Sequence, residues 1–387
     1  MINGNGNTIT IKSSKSTIFN KFSGKISNAN IVLETNKTIN KSYSFFADKN
    51  NGEIDNINFN LISNITINSG GDAIYGSAFV GDNNNKISNC KIFTDVRIEG
   101  TQHSDSFFAC VASNNNSKII NCEVINNSEI YSNTSDICGI VAQNNADGII
   151  DNCQNYAKLT QTTGSSSWSP NVAGINLINY GKVQNCENFG NLSINISAQG
   201  AGGENVSEGY CAGITAINYK KIEHCKNNAN ITIENTFYNV YAGGIVALNY
   251  FNSTTGELSQ TFNCGFSGTI QLTDNSESYS YIGGIAGCSI GEVRDCYANL
   301  EFSSTENIKT GGIIGLTHYG IGYNSIFGFV YVTDYTEWYE NNYFYISNSI
   351  TNKVGIAEIL PNTAELTDVG MNICSTTQDL ENCEVFW

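Results

Sequence analysis

Apolar and polar positions recur along this chain in a short phrase, Ile-x-Asn-Cys or a close variant of it. The phrase occurs seven times, and its successive cysteines are 31 to 39 residues apart. Weaker copies without cysteine begin at Ile26, Ile54 and Gly322, which gives ten copies in all. A recurring period of about this length is typical of a repeat protein in which each unit stacks on the next. The cysteines of the seven full copies are Cys90, Cys122, Cys153, Cys186, Cys225, Cys264 and Cys296.

Each unit contains three apolar stretches that are short enough to be β-strands. An apolar strand, marked by glycine in the later copies as in Gly244-Ile245-Val246-Ala247, comes first and is followed by a polar corner such as Asn179-Tyr180-Gly181. The Ile-x-Asn-Cys strand comes next, and a third strand such as Gly268-Thr269-Ile270-Gln271-Leu272 completes the unit. Three strands in about 30 residues predict one rung of a parallel β-helix. We therefore predict an all-β solenoid of about ten rungs over residues 1–345, with an irregular cap over residues 346–387.

The residue types at the repeated positions predict local structure. Asn and Gly tolerate the left-handed backbone that a corner requires, and repeated Asn side chains predict an amide ladder between rungs. Glycine before the apolar strand allows neighbouring backbones to approach closely. The seven repeated cysteines are expected to form an interior column, because a free cysteine behaves as a small buried hydrophobe. Cys374 and Cys383 lie outside this column, and a local bridge between them stays open.

The charge of the chain limits its direct partners. There are 35 acidic and 19 basic residues, for a formal net charge of −16. An acidic surface repels nucleic acid and anionic lipid, so we expect neither as a partner. No run of about 18 apolar residues occurs, so we expect no membrane insertion. The first residues lack the apolar core of a signal peptide. The chain is then either cytosolic or, as we favour, an excised part of a longer, multidomain secreted protein.

Motifs that carry chemistry are scarce in this sequence. There is no CxxC or Cys/His cluster and no His-Glu-x-x-His, so we predict no metal site and no cofactor. The three histidines lack partners at a recognisable spacing, and His224 replaces the Asn of the repeat, which predicts a corner residue. Parallel β-helices include polysaccharide lyases and glycosidases, which would need carboxylates that converge from adjacent rungs. Because sequence spacing points to no such group, we predict no catalytic residues, with a polysaccharide-degrading enzyme as the alternative.

Aromatic residues suggest a ligand site. Alignment of the rungs on the glycine-marked strand places Tyr210, Tyr241 and Tyr281 in one column, with Phe107 at the equivalent position of an earlier rung. Trp168 lies in a long connection on the same edge, where the rungs differ most in length. Aromatic faces beside Asn and Ser side chains are suited to bind a sugar or a protein. The competing interpretation is structural, because stacked aromatic residues stabilise a parallel sheet without any ligand.

Two features together resemble a known group of proteins. The strand Gly284-Ile285-Ala286-Gly287 precedes Gly291-Glu292-Val293-Arg294-Asp295-Cys296, and this arrangement is similar to the GLUG-motif repeats of large bacterial and protist surface proteins. Such repeats also lie beside some immunoglobulin A metallopeptidases. The opening residues 2–9 and the ending residues 343–387 look like the usual start and exit of these repeats. The resemblance covers nearly the whole chain, and it implies a right-handed parallel β-helix displayed outside the cell with no catalytic residues to carry over.

These observations lead to one expectation about function. We expect a non-catalytic, extracellular β-solenoid that serves as a stalk or adhesion module of a cell-surface protein and binds a host glycan or surface protein. The alternative is a lyase or glycosidase built on a β-helix, similar to a phage tailspike.

Overall fold

The computed structural model describes most of the chain from its first residue to Ile373. The residues it describes are 1–12, 17–67, 73–100, 106–162, 170–196, 208–235, 239–252, 257–274, 280–304, 308–318, 342–346, 354–358 and 371–373. Within these residues every regular element is a β-strand. No helix among them is long and apolar enough to cross a membrane.

The strands form three parallel stacks, in which each strand pairs with the equivalent strand of the next rung. The eleven-stranded sheet contains Phe19–Phe22, Ala47–Asn50, Val80–Asn83, Ala112–Asn115, Val141–Asn144, Asn176–Asn179, Thr215–Asn218, Val246–Asn249, Ala286–Ser289, Ile314–His318 and Val354–Glu358. The nine-stranded sheet contains Tyr43–Ser44, Tyr75–Ser77, Phe107–Ala109, Asp136–Cys138, Asn171–Ala173, Glu208–Ala212, Asn239–Gly243, Ser280–Gly283 and Ile308–Gly311.

A larger sheet of 24 strands contains the Ile-x-Asn-Cys phrases and the third strands of the rungs. Its strands are Ile2–Asn3, Thr8–Lys12, Lys25–Ile39, Glu53–Ile67, Lys86–Ser88, Lys91–Gly100, Lys118–Ile120, Glu123–Val124, Glu129–Ser132, Ile149–Asp151, Gln154–Asn155, Lys158–Thr162, Lys182–Gln184, Glu187–Asn188, Leu192–Ile196, Lys221–Glu223, Lys226–Asn227, Ile231–Asn235, Gln260–Phe262, Gly265–Asp274, Glu292–Arg294, Tyr297–Ser304, Asn342–Ile346 and Met371–Ile373. Phe251–Asn252 and Glu257–Leu258 form a separate antiparallel hairpin.

This arrangement confirms the predicted parallel β-helix. A rung runs from the nine-stranded sheet through a short bend into the eleven-stranded sheet, and then through a corner into the large sheet. Residues one repeat apart are direct neighbours, as in the pairing of Ile87 with Ile119 and of Ile119 with Ile150. Handedness stays a prediction. The boundary between solenoid and cap at residue 346 also stays a prediction, because only Val354–Glu358 and Met371–Ile373 are described beyond it. Both of these strands pair with strands of the preceding rung.

The Asn of each Ile-x-Asn-Cys phrase bends the backbone. Asn89 has a φ of 54°, and the residues at the equivalent position of the other copies have φ between 49° and 55°, including His224 and Asp295. The sequence predicted one strand through the phrase, but this bend interrupts it in most rungs. A straight strand alternates its side chains and could not bury both Ile87 and Cys90, which are three residues apart. The left-handed residue turns the chain so that both side chains enter the core, where each is fully buried.

The interior is one continuous hydrophobic core of Ile, Val, Leu, Phe and Cys columns. All seven repeated cysteines are buried, and each is a free thiol, as the sequence predicted. Each Sγ donates to the carbonyl two residues before it, at 3.1 Å from Cys90 to Ser88 and 3.0 Å from Cys264 to Phe262. Burial raises the pKa of the Cys153 thiol well above its ordinary value, so this thiol is protonated at neutral pH. Cys374 and Cys383 lie outside the described residues.

Amide ladders between rungs, which the sequence predicted for one corner, are present at several positions. The longest is buried and ends the strands of the eleven-stranded sheet, where each Nδ2 donates to the Oδ1 of the next rung at 2.8 to 2.9 Å. Its members are Asn50, Asn83, Asn115, Asn144, Asn179, Asn218 and Asn249. A second buried ladder joins Asn155, Asn188 and Asn227. The ladders satisfy polar groups that burial would otherwise penalise.

The glycines before the apolar strands stack closely, as predicted. A Cβ on Gly174 would lie 2.0 Å from the carbonyl oxygen of Gly213 and 2.4 Å from the side-chain carbon of Asn188. A Cβ on Gly244 would lie 2.2 Å from the carbonyl oxygen of Gly284. These distances are far below any real Cβ contact, so the column has no room for a side chain. The glycine column makes space for the second amide ladder, which packs against it.

Candidate ligand-binding site

Three neighbouring strands of the nine-stranded sheet place their tyrosines directly above one another. Tyr210 pairs with Tyr241, and Tyr241 pairs with Tyr281. The ring centroids of the first pair are 5.6 Å apart and those of the second pair 5.2 Å apart, with interplanar angles of 19° and 13°. The column predicted for these three residues is confirmed. We call Tyr210, Tyr241 and Tyr281 the tyrosine ladder.

Phe107 lies in the same column but does not contact the ladder. It stacks on Tyr75, with centroids 4.4 Å apart, and Asp136 and Asn171 occupy the two positions between it and Tyr210. Asn171 Nδ2 donates to a carboxylate oxygen of Asp136 at 2.7 Å. The sequence therefore predicted the position of Phe107 in the column correctly. It did not predict that Asp136 and Asn171 separate the pair of Tyr75 and Phe107 from the tyrosine ladder. Trp168 lies outside the described residues.

The tyrosine ladder belongs to a second hydrophobic cluster that is separate from the core. Cys211 points into the core, so Tyr210 and Ala212 on either side of it point away from the core. There the ladder packs with Leu248 and other side chains of the eleven-stranded sheet, and Tyr241 is only 6% exposed. Tyr210 and Tyr281 are half-buried. Because the rings cover one another's faces, a ligand would meet ring edges and hydroxyl groups along the ladder and a free face only at its ends.

One carboxylate lies against the hydroxyl groups of the ladder. Tyr210 donates to Oε2 of Glu208, and Tyr241 donates to Oε1 of the same carboxylate at 3.4 Å. Burial raises the pKa of the Tyr210 and Tyr241 phenols, and the negative charge of Glu208 raises both further. Both phenols therefore stay neutral donors throughout the physiological range. A carboxylate beside stacked tyrosines can accept hydrogen bonds from the hydroxyl or amine groups of a ligand.

The connections that lead into the nine-stranded sheet differ in length from rung to rung. Three residues separate Ser132 from Asp136, whereas eleven separate Ile196 from Glu208. Insertions on one edge of a solenoid are usually on its binding side. The strands of the tyrosine ladder, Glu208–Ala212, Asn239–Gly243 and Ser280–Gly283, follow these connections.

Other aromatic contacts were not predicted from the sequence. Tyr156 and Phe189 each follow a strand of the large sheet directly, and they stack with centroids 4.7 Å apart and an interplanar angle of 7°. Tyr180 and Tyr219 stack at 4.8 Å, and each follows an Asn of the long buried ladder. The repeated Asn-Tyr dipeptide was the signal that could have located the second pair. Stacking at several unrelated positions is consistent with the structural interpretation, in which aromatic pairs stabilise a parallel sheet without a ligand.

The remaining candidates for chemistry are few. His224 is a corner residue, as predicted, and its Nε2 lies 3.4 Å from Nδ2 of Asn263. His103 lies outside the described residues. In the described part of the chain, no three His, Cys, Asp or Glu side chains converge as ligands for a metal ion.

No protein-family model matches the chain, no curated protein matches it, and no solved structure matches it.

Proposed function

We propose that this chain is a non-catalytic β-solenoid that serves as a stalk or adhesion module of a cell-surface protein and binds a glycan at the tyrosine ladder. The observation that carries the proposal is the ladder itself. Three stacked tyrosines and the Glu208 carboxylate lie together, away from the core, at the edge where the rungs vary most in length.

The stacked rungs support the role of a stalk. Each rung is tied to its neighbours by parallel backbone pairing, by a continuous core and by buried amide ladders. In such a solenoid every repeat contacts only its neighbours, and a long chain becomes a rod instead of a globule. A rod separates whatever lies at its two ends, which is the property that a surface stalk requires.

The polar groups of the site favour a glycan as the ligand. A sugar presents several hydroxyl groups on a largely rigid ring, and the ladder supplies phenol hydroxyls and a carboxylate that accept or donate hydrogen bonds. The net charge of −16 disfavours a strongly anionic ligand. The resemblance of the glycine-marked strands to GLUG-motif repeats supports display outside the cell.

A glycan-binding screen that also measures cleavage tests this proposal. The full chain would be applied to a panel of neutral and amino-sugar glycans, and the mass of every bound glycan would be measured before and after incubation. We expect binding with no shorter products. In the variants Glu208→Gln and Tyr210→Phe, which remove the charge or one hydroxyl, binding should fall at least tenfold, as expected when a charged hydrogen bond is lost.

A matched control lies next to another sheet. Tyr156→Phe removes a hydroxyl from the aromatic pair with Phe189 and should leave binding unchanged. Cleavage products that disappear in Glu208→Gln would replace the proposal with the polysaccharide-degrading alternative. Binding only to a protein receptor, or glycan binding that Tyr156→Phe reduces as much as Tyr210→Phe does, would refute the glycan site.

A further inference from the structure

Seven thiols form one uninterrupted column along the core, at the position occupied by Ile57 in the rung before Cys90. The backbone fixes their register, because the N–H of Glu123 bonds to the carbonyl of Cys90 and the N–H of Gln154 bonds to that of Cys122. The same backbone hydrogen bond recurs in each later rung of the column, and the last one runs from the N–H of Tyr297 to the carbonyl of Cys264. Equivalent positions of adjacent rungs are therefore occupied by thiols across all six gaps of the column.

The spacing of the column is unsuitable for disulfides. Side chains in register on parallel strands point in the same direction, so their Cβ atoms are about 4.8 Å apart, one strand spacing. A disulfide requires Cβ atoms roughly 3.5–4.5 Å apart and sulfurs about 2.05 Å apart. Oxidation of neighbouring cysteines would therefore require adjacent rungs to move closer together than the spacing set by backbone bonds such as the one from Glu123 to Cys90.

The same spacing suits a metal ion held between two sulfurs. Metal–thiolate bonds are about 2.3 Å long, so a linear sulfur–metal–sulfur unit spans about 4.6 Å, close to the strand spacing. A tetrahedral ion such as zinc needs more ligands than two, and no three candidate ligands converge among the described residues. Two-coordinate binding by sulfur is a property of soft monovalent ions such as Cu(I) and Ag(I).

Charge balance limits how such ions can occupy the core. A monovalent ion that enters a gap displaces one thiol proton and leaves the core with no added charge. A bridging thiolate is bent at sulfur and cannot hold two ions in line, so the ions would occupy alternate gaps, and three ions would release three protons. A divalent ion would have to displace both protons of its gap to avoid a net charge in a fully buried site.

We infer that the column of Cys90, Cys122, Cys153, Cys186, Cys225, Cys264 and Cys296 is a binding site for soft monovalent metal ions, held in linear two-sulfur coordination between adjacent rungs. Such ions would link neighbouring rungs through the core without changing their register. This inference is independent of the proposed glycan site, which lies outside the core.

Silver(I) is the probe of choice, because it stays monovalent under ordinary conditions. The reduced full chain would be incubated with silver nitrate in chloride-free buffer and passed through a gel-filtration column, and silver and protein would then be quantified. We expect up to three silver ions per chain in the column, one for every second gap. X-ray absorption of the same sample should show two sulfur neighbours in a linear arrangement and no nitrogen or oxygen ligand.

Two triple variants locate the ions. Replacement of Cys122, Cys186 and Cys264 by Ala removes every pair of adjacent thiols in the column and should remove the silver ions bound there, up to three per chain. Replacement of three equally buried cysteines outside the column, Cys110, Cys138 and Cys211, by Ala is the matched control and should leave the stoichiometry unchanged.

Three outcomes would overturn the inference: no retained silver in the wild-type chain, equal losses in the two triple variants, or three or more sulfur neighbours per ion. If the column variant does not fold, as judged by circular dichroism, the wild-type stoichiometry and the sulfur count still decide the question.

Discussion

The long buried amide ladder provides the sharpest test of how this fold is stabilised. Asn179 lies in the middle of it, accepts a hydrogen bond from Nδ2 of Asn144 and donates one to Oδ1 of Asn218, both at 2.8 Å. Its Nδ2 also donates to the carbonyl of Lys221 at 3.1 Å, and its Oδ1 accepts from the N–H of Gly181 at 3.1 Å. Substitution of Asn179 by Ala removes four hydrogen bonds from a fully buried site.

The expected loss of stability follows from these contacts. Each intramolecular hydrogen bond contributes about 1 kcal/mol net, and a buried partner left without a bond costs about 1–3 kcal/mol. Asn144 keeps its bonds to the carbonyls of Gly148 and Lys182, at 3.2 and 3.3 Å, which limits the penalty on that side. We therefore expect the free energy of unfolding of Asn179→Ala to fall by about 3–4 kcal/mol.

Equilibrium unfolding in urea, followed by circular dichroism, measures this change. Asn116→Ala is the matched control, since Asn116 is also in a ladder, between Asn84 and Asn145 at 2.8 and 2.6 Å, but its side chain is exposed. Water replaces the lost bonds there, so its loss should stay below about 0.5 kcal/mol. If the two variants lost equal stability, or Asn179→Ala lost less than about 1 kcal/mol, the buried ladder would not stabilise the rungs as argued.

Three further predictions concern the glycine column, the left-handed corner and one ion-pair cluster. Gly174→Ala should lower the free energy of unfolding by about 1–3 kcal/mol, because the added Cβ overpacks against Gly213. Gly24→Ala is the control and should not lower it, because the atom nearest to a Cβ on Gly24 is 3.9 Å away. Thermal unfolding compares the two variants. Asn185→Val should lower the free energy of unfolding, measured in urea, by about 1–2 kcal/mol, because a β-branched residue disfavours a φ of 54°. Asn185→Gly should lower it by less, because glycine adopts this φ readily. Partial burial would raise the pKa of Glu223, but its two lysine partners outweigh burial and lower that pKa. Its contribution to stability is therefore present above the ordinary carboxylate range and is lost as the pH falls through the lowered pKa. Between pH 7 and pH 3 the wild type should lose more stability than Glu223→Gln, and equal losses would contradict this assignment.

The sequence alone determined the period of the fold and the contents of its interior columns. Repetition of a unit with three apolar stretches leaves stacking as the means of burying a continuous core, so the parallel β-helix followed from the pattern. Stacking also places equivalent residues on top of one another. The thiol column, the glycine column and the column of Tyr210, Tyr241 and Tyr281 were predictable for this reason.

Only the tertiary structure decided which neighbours the columns meet. Ile87 and Cys90 both reach the core because the backbone bends at Asn89, and a pattern of alternating residues does not contain that bend. The carboxylate of Glu208 bonds to two tyrosines of successive rungs, and Phe107 is separated from them by Asp136 and Asn171. Periodicity specifies which residues share a column, because it counts positions along the chain. Contacts between columns depend on the angle at which the sheets meet, and that angle is set by the packing of the whole rung.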